Sequence, residues 1–204
     1  MTVPGITVFG QQSHPDWTAG TPIAEDATGF PTDYVALDLE TTGFYPNRCA
    51  ITEIGAVRVR GGRVVDQFQQ LINPLCPIPR QITALTGITD AMVADHDPID
   101  GVLPQFISWL ADSNAAAETE PIVGHNVSFD LRFLDYNTRH IAGCGFACAD
   151  YDTMQISRAL FPKQSHHRLA DLIVRFGIAD NEEHRALSDA IQTQQCFEWM
   201  RHYV

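Results

Sequence analysis

The stretch Asp38-Leu39-Glu40-Thr41-Thr42-Gly43, entered from the apolar run Tyr34-Val35-Ala36-Leu37, constrains the fold more than any other part of the chain. Such a run, closed by polar and turn-forming residues, reads as a strand buried inside a sheet. Side chains two positions apart on a strand share a face. Asp38 and Glu40 therefore point one way, while Val35, Leu37 and Leu39 point the other. Two adjacent carboxylates at the end of a sheet repel each other and are costly to desolvate. A bound cation removes that cost, so the pattern by itself suggests a metal site.

The remaining elements follow from period and punctuation. Residues 50–60 and 63–72 are strand-like runs joined by Gly61-Gly62, which predicts an antiparallel hairpin closed by the Pro-rich loop 73–79. Short helical pieces are expected over 80–86 and 90–94. Val102, Phe106, Ile107 and Leu110 keep helical spacing. Pro121 to His125 reads as a short strand leading into a helix that carries Phe129, Phe133 and Leu134, and 147–151 as a last strand. Helical patterns then cover 152–161, 167–176 and 186–203, with Gly177 as the stop of the second. A hairpin, a β–α–β unit and a run of helices give an α/β fold: a mixed sheet with helices on both faces. Residues 1–32 lack periodicity and read as an N-terminal arm, with Trp17 and Phe30 as its anchors. Residues 33–204 form the domain.

The totals exclude some classes and leave others open. The net charge of −12 argues against a protein that holds duplex DNA by neutralising phosphates. It leaves room for a nucleic-acid enzyme whose site is built from carboxylates and bound cations. No apolar run is long enough for a membrane span, and the N-terminus does not read as a secretory signal. Five scattered cysteines read as reduced thiols of a cytoplasmic protein, and Cys144 with Cys148 make only a weak zinc pair.

Three more candidates fall where elements begin. Asp130 lies in the first turn of the helix after His125-Asn126, where a helix dipole favours an acid. His184 and Asp189 are five apart, which is not one helical face. If they serve one site, His184 belongs to a loop and Asp189 to the helix after it. The small Ala186 and Ala190 would let that helix approach a strand and bring Asp189 near Asp38.

Taken together, these residues resemble the motifs of the DEDDh family of 3′–5′ exonucleases, the DnaQ-like group that includes the polymerase III epsilon subunit. Asp38 to Gly43 matches D-x-E-T-T-G, His125 to Asp130 matches H-N-x-x-F-D, and His184 to Asp189 matches H-x-x-x-x-D. Ile72-Asn73-Pro74, Ile78-Pro79 and Leu85 to Thr89 resemble the family's substrate loop. The likeness covers about residues 33–204. It implies a ribonuclease H-like mixed five-stranded sheet flanked by helices and two divalent ions, magnesium or manganese. By the same resemblance Asp38 bridges both ions, Glu40 and Asp189 complete one, Asp130 holds the other, and His184 is the general base. Histidine suits that role because its imidazole is partly neutral near pH 7.

Thr41, Thr42, Leu85, Asn126 and Phe129 are candidates for the terminal-nucleotide pocket, with backbone amides after Glu40 binding the 3′ end. Core packing is the alternative for Leu85 and Phe129. His125 is placed as a supporting group, and His166 and His167 as a solvated helix start. The expected activity is release of nucleoside 5′-monophosphates from single-stranded or frayed DNA ends. RNA or short-oligonucleotide trimming is the alternative substrate reading, and a non-catalytic end-binding module of a polymerase assembly is the alternative class. The last helix takes up nearly the whole C-terminus, which favours a stand-alone enzyme over a polymerase subunit's partner.

Overall fold

The computed structural model describes residues 7–8, 30–111 and 120–203. Most of the expected arm, including Trp17, lies outside these residues. Strands β1 (Thr7–Val8), β2 (Tyr34–Thr41), β3 (Ile51–Arg60), β4 (Arg63–Leu71), β5 (Ile122–Gly124) and β6 (Ala149–Asp152) form one sheet. Its order is β1-β6-β5-β2-β3-β4. The five strands β2–β6 make the expected mixed sheet, and the two-residue β1 adds an antiparallel edge to β6. β2 runs antiparallel to β3 and parallel to β5, so the Asp38 strand is central.

The helices are α1 (Arg80–Thr86), α2 (Asp90–Val93), α3 (Ile99–Ala111), α4 (Ser128–Ala142), α5 (Thr153–Leu160), α6 (Leu169–Arg175) and α7 (Ala186–Tyr203). The alternation of β2 divides the core as its sequence requires. Val35, Leu37 and Leu39 pack with Val102, Phe106, Leu131 and Phe133 of α3 and α4. Tyr34 and Ala36 face the opposite layer, with Ile156 of α5 and Phe197 and Met200 of α7. Phe30 caps that layer with its ring 5.1 Å from Phe197.

Two boundaries differ from the sequence reading for local reasons. Asp152 ends β6 as the N-cap of α5, accepting from the amides of Met154 and Gln155, and its Oδ1 also accepts from Asn126 N at 3.0 Å. It thereby ties the ends of two parallel strands together. His167 stays outside α6 because its ring is held by Ser157 Oγ at 2.8 Å and by the Gln164 carbonyl. No helix among the described residues is long and apolar enough to cross a membrane.

The approach of α7 to the sheet depends on Gly55 in β3. A Cβ built there would lie 2.1 Å from both Ala186 C and Leu187 N, which are backbone atoms that cannot rotate away. The first turn of α7 therefore seats directly on the strand beside β2. Gly55→Ala is expected to cost at least about 1–3 kcal/mol, the range for overpacking a dense core. It should also lower activity in the protein that remains folded, because Asp189 moves with the helix. Thermal melting alongside turnover checks both effects.

Candidate active site

The four candidate acids reach one place from three elements. β2 presents Asp38 and Glu40 on one face just before its register shifts between Glu40 and Thr41. α7 presents Asp189 one turn in from its start, where its amide bonds to the Arg185 carbonyl at 2.9 Å. Ligand oxygens of Asp38, Glu40 and Asp189 all lie within 4.8 Å of one another. Asp130, in the first turn of α4, is buried beside them, and its Oδ1 accepts from Leu39 N at 3.1 Å. It docks against the β2 backbone between the two motif acids.

The electrostatics of this cluster are adverse without a cation. Burial pushes Asp38 well above the carboxylate range, and the charges of Asp130, Glu40 and Asp189 push it further. Burial raises Glu40 to about 8, with help from Asp189 and Glu53. Asp130 rises to about 8 through burial, against the hydrogen bond from Leu39. Burial and then Glu182 raise Asp189 to about 7. Asp189 Oδ1 is also buried with no hydrogen-bond partner among the described residues. Oxygen donors, converging charge and an orphaned buried oxygen fit hard divalent cations.

His184 sits in the loop before α7, as the five-residue spacing to Asp189 requires. Its backbone is left-handed at φ 53°, a costly conformation for a residue with a Cβ. Its Nδ1 is 3.5 Å from Glu182 Oε1. Ligand atoms of Glu182, His184 and Asp189 also lie within 4.8 Å of one another. Glu182 was not singled out from the sequence; an acid two residues before the motif histidine was the available signal. Its Oε2 accepts from Ala170 N at 3.1 Å, which fixes the loop to α6.

Two further residues were missed. Glu53 of β3 stands opposite Glu40 in the β2–β3 register and is fully buried. Arg185 grips it with Nε at 3.0 Å and Nη2 at 2.8 Å, and Ala186 N and Gln69 Nε2 donate to it as well. Burial alone would raise Glu53, but hydrogen bonds from Arg185 and Gln69 hold it below its ordinary value.

The pocket candidates behave differently from one another. The hydroxyls of Thr41 and Thr42 close their own turn, Thr41 Oγ1 donating to the Gly43 carbonyl and Thr42 Oγ1 accepting from Ala50 N. The Thr42 amide is bonded to the Ala50 carbonyl at 2.8 Å. Of the amides after Glu40, that of Thr42 is therefore not free for a 3′ end, because the Ala50 carbonyl just before β3 already takes it. Leu85 is 53% exposed, so core packing does not explain it. Asn126 is exposed and left-handed at φ 57°. Phe129 packs on the core through Phe133 and meets the exposed ring of Phe44 edge-on at 6.5 Å. Phe44 and Tyr45 are 73% and 65% exposed immediately after the motif glycine. Two aromatics directly after the motif glycine were readable from the sequence but were passed over. His125 hydrogen-bonds Thr153 Oγ1 through Nδ1, and burial lowers it to about 4, which suits a structural group.

The exonuclease family model RNase_T matches residues 35–197, nearly the whole described domain. The chain belongs to this family. Among the similar proteins, the DNA polymerase III subunit epsilon of Aquifex aeolicus is 35% identical over 164 residues, covering 80% of this chain and 78% of that protein. A PolC-type DNA polymerase III of Thermotoga maritima is 36% identical over 175 residues, covering 86% of this chain but only 12% of the polymerase. Of the solved structures, Exonuclease X in complex with 5′ overhanging duplex DNA superposes with a TM-score of 0.64 at 28% identity, covering 83% of this chain and 92% of that one. The fold is that of this exonuclease group, and the acidic cluster lies at its centre.

Proposed function

We propose that this protein is a divalent-metal-dependent 3′–5′ exonuclease that releases nucleoside 5′-monophosphates from single-stranded or frayed DNA ends. The observation that carries the reading is the convergence of Asp38, Glu40 and Asp189 within 4.8 Å inside an exonuclease-family domain. Asp38, Glu40 and Asp189 would hold one cation, and Asp38 with Asp130 a second. Magnesium or manganese there would supply positive charge to the scissile phosphate and make a bound water a stronger acid.

The chain's own residues then have separable tasks. His184 takes the proton of the attacking water as its oxygen bonds to phosphorus. The bond from phosphorus to the 3′ oxygen of the preceding nucleotide breaks, that oxygen leaves with the bonding pair and takes a proton from solvent to become the new 3′-hydroxyl, and the terminal nucleotide departs with a 5′-phosphate. Leu85, Asn126 and Phe129 border the space for that nucleotide. Phe44 and Tyr45 offer ring faces to bases further along the strand, a contact that tolerates any sequence. The name of the epsilon-subunit relative adds a DNA polymerase as the partner to test.

The test is digestion of 5′-labelled single-stranded DNA and RNA of one sequence, with magnesium, manganese or chelator. A ladder descending one nucleotide at a time from the 3′ end of DNA, lost with chelator, is the expected result. Faster digestion of RNA would move the reading to RNA trimming, and no product from either strand would overturn it. Phe44→Ala should raise KM for single-stranded DNA while kcat is kept, by about the 1–3 kcal/mol that one stacked base contributes. An unchanged KM would remove Phe44 from the substrate path.

A further inference from the structure

We propose that Glu53 and Arg185 are positioning residues for the general base, acting on substrate turnover only through His184. The proposal rests on the exonuclease reading above. Arg185 follows His184 directly, and Glu53 binds both its guanidinium and the amide of Ala186. The two residues after His184 are thus fixed to β3, the strand that pairs with the Asp38 strand. On the other side, Glu182 fixes the loop to Ala170 N. His184 is the left-handed residue between these two anchors. A loop pinned at both ends is what holds a side chain in a backbone conformation it would otherwise leave.

The position of Glu53 points to more than stabilisation, even though hydrogen bonds from Arg185 and Gln69 keep its carboxylate charged. A fully buried carboxylate placed opposite Glu40 adds negative charge beside a cluster that already repels itself. Buried ion pairs often contribute little net stability, because desolvation offsets their attraction. The geometry is specific, however: a planar guanidinium donates two bonds to one carboxylate, which a lysine cannot reproduce. Its effect is to set the direction in which the chain leaves His184, while the seating of α7, and of Asp189 with it, follows from the contact of its first turn with Gly55.

The experiment compares Arg185→Lys and Glu53→Gln, each alone and combined with His184→Ala, in the full chain. Melting temperature, manganese binding by calorimetry, KM and kcat on single-stranded DNA are measured for each. In the otherwise native chain, kcat should fall about 10- to 100-fold, as expected when a catalytic group is displaced by a fraction of an ångström to an ångström. KM and manganese affinity should stay as in the native protein. In the His184→Ala background, neither substitution should lower kcat further, because the group it positions is gone. Equal losses in both backgrounds would show a general structural role and overturn the proposal, as would native kcat in both variants. Glu53→Gln keeps an acceptor for the Ala186 amide, so it reports even if Arg185→Lys does not fold. A native protein without metal-dependent digestion would instead overturn the exonuclease reading itself.

Discussion

Replacing Asp38 by Asn should abolish turnover and, in the same protein, raise the melting temperature measured in chelator. The two effects have one cause. The charged form of Asp38 is disfavoured by its surroundings, first by burial and then by Asp130, Glu40 and Asp189. Asn keeps the shape and removes one charge from the cluster. The loss of transition-state charge stabilisation amounts to several kcal/mol, about 10³-fold or more in rate.

The stability gain follows from proton linkage. Glu40 titrates at about 8, Asp130 at about 8 and Asp189 at about 7 in the folded chain. All three lie above their unfolded values of about 4, so folding takes up protons. Their contribution is fully favourable below about pH 4 and is lost as pH rises toward 7–8. The metal-free protein should therefore melt progressively lower from about pH 5 to 8, by about 2–4 °C per kcal/mol lost. Manganese or magnesium should reverse that slope by binding the deprotonated form. Asp38→Asn should flatten the slope and weaken the response to metal. A melting temperature that is independent of pH and metal in the native chain would contradict the electrostatic account of this site.

What the sequence made legible is what is written in local period and punctuation. The alternation around Asp38 was enough to place two acids on one face and Val35, Leu37 and Leu39 on the other, and the two core layers follow that division. The five-residue gap between His184 and Asp189 required a loop followed by a helix, and α7 begins at Ala186. The features that escaped depend on tertiary approach. Gly55 looks like any glycine in a strand until the backbone of α7 is found against it. Glu53 lies 132 residues from Arg185, and no spacing rule joins them. Thr42 offered a free amide on paper, but the Ala50 carbonyl across the turn between β2 and β3 consumes it. Glu182 depends on how the loop folds back over α6, which a motif of histidine and aspartate does not encode.

His184→Ala carries the second large effect, and it separates chemistry from binding. A general base contributes about 10²–10⁴-fold to a hydrolytic step, so kcat should fall by that range. KM should change little, since the ring is not among the groups proposed to border the nucleotide. Manganese binding should also persist, because the carboxylates of Asp38, Glu40, Asp130 and Asp189 remain in place and removing the imidazole relieves no charge among them. The loop itself tolerates the change, because its anchors are Glu182 on Ala170 and Arg185 on Glu53, not the histidine ring. Folding should therefore be kept, and melting temperature verifies it. A hydrolysis rate near that of the native protein would remove His184 from the proton path. The water would then have to pass its proton to a carboxylate, and Glu182, 3.5 Å from the ring, is the nearest one outside the metal-holding set.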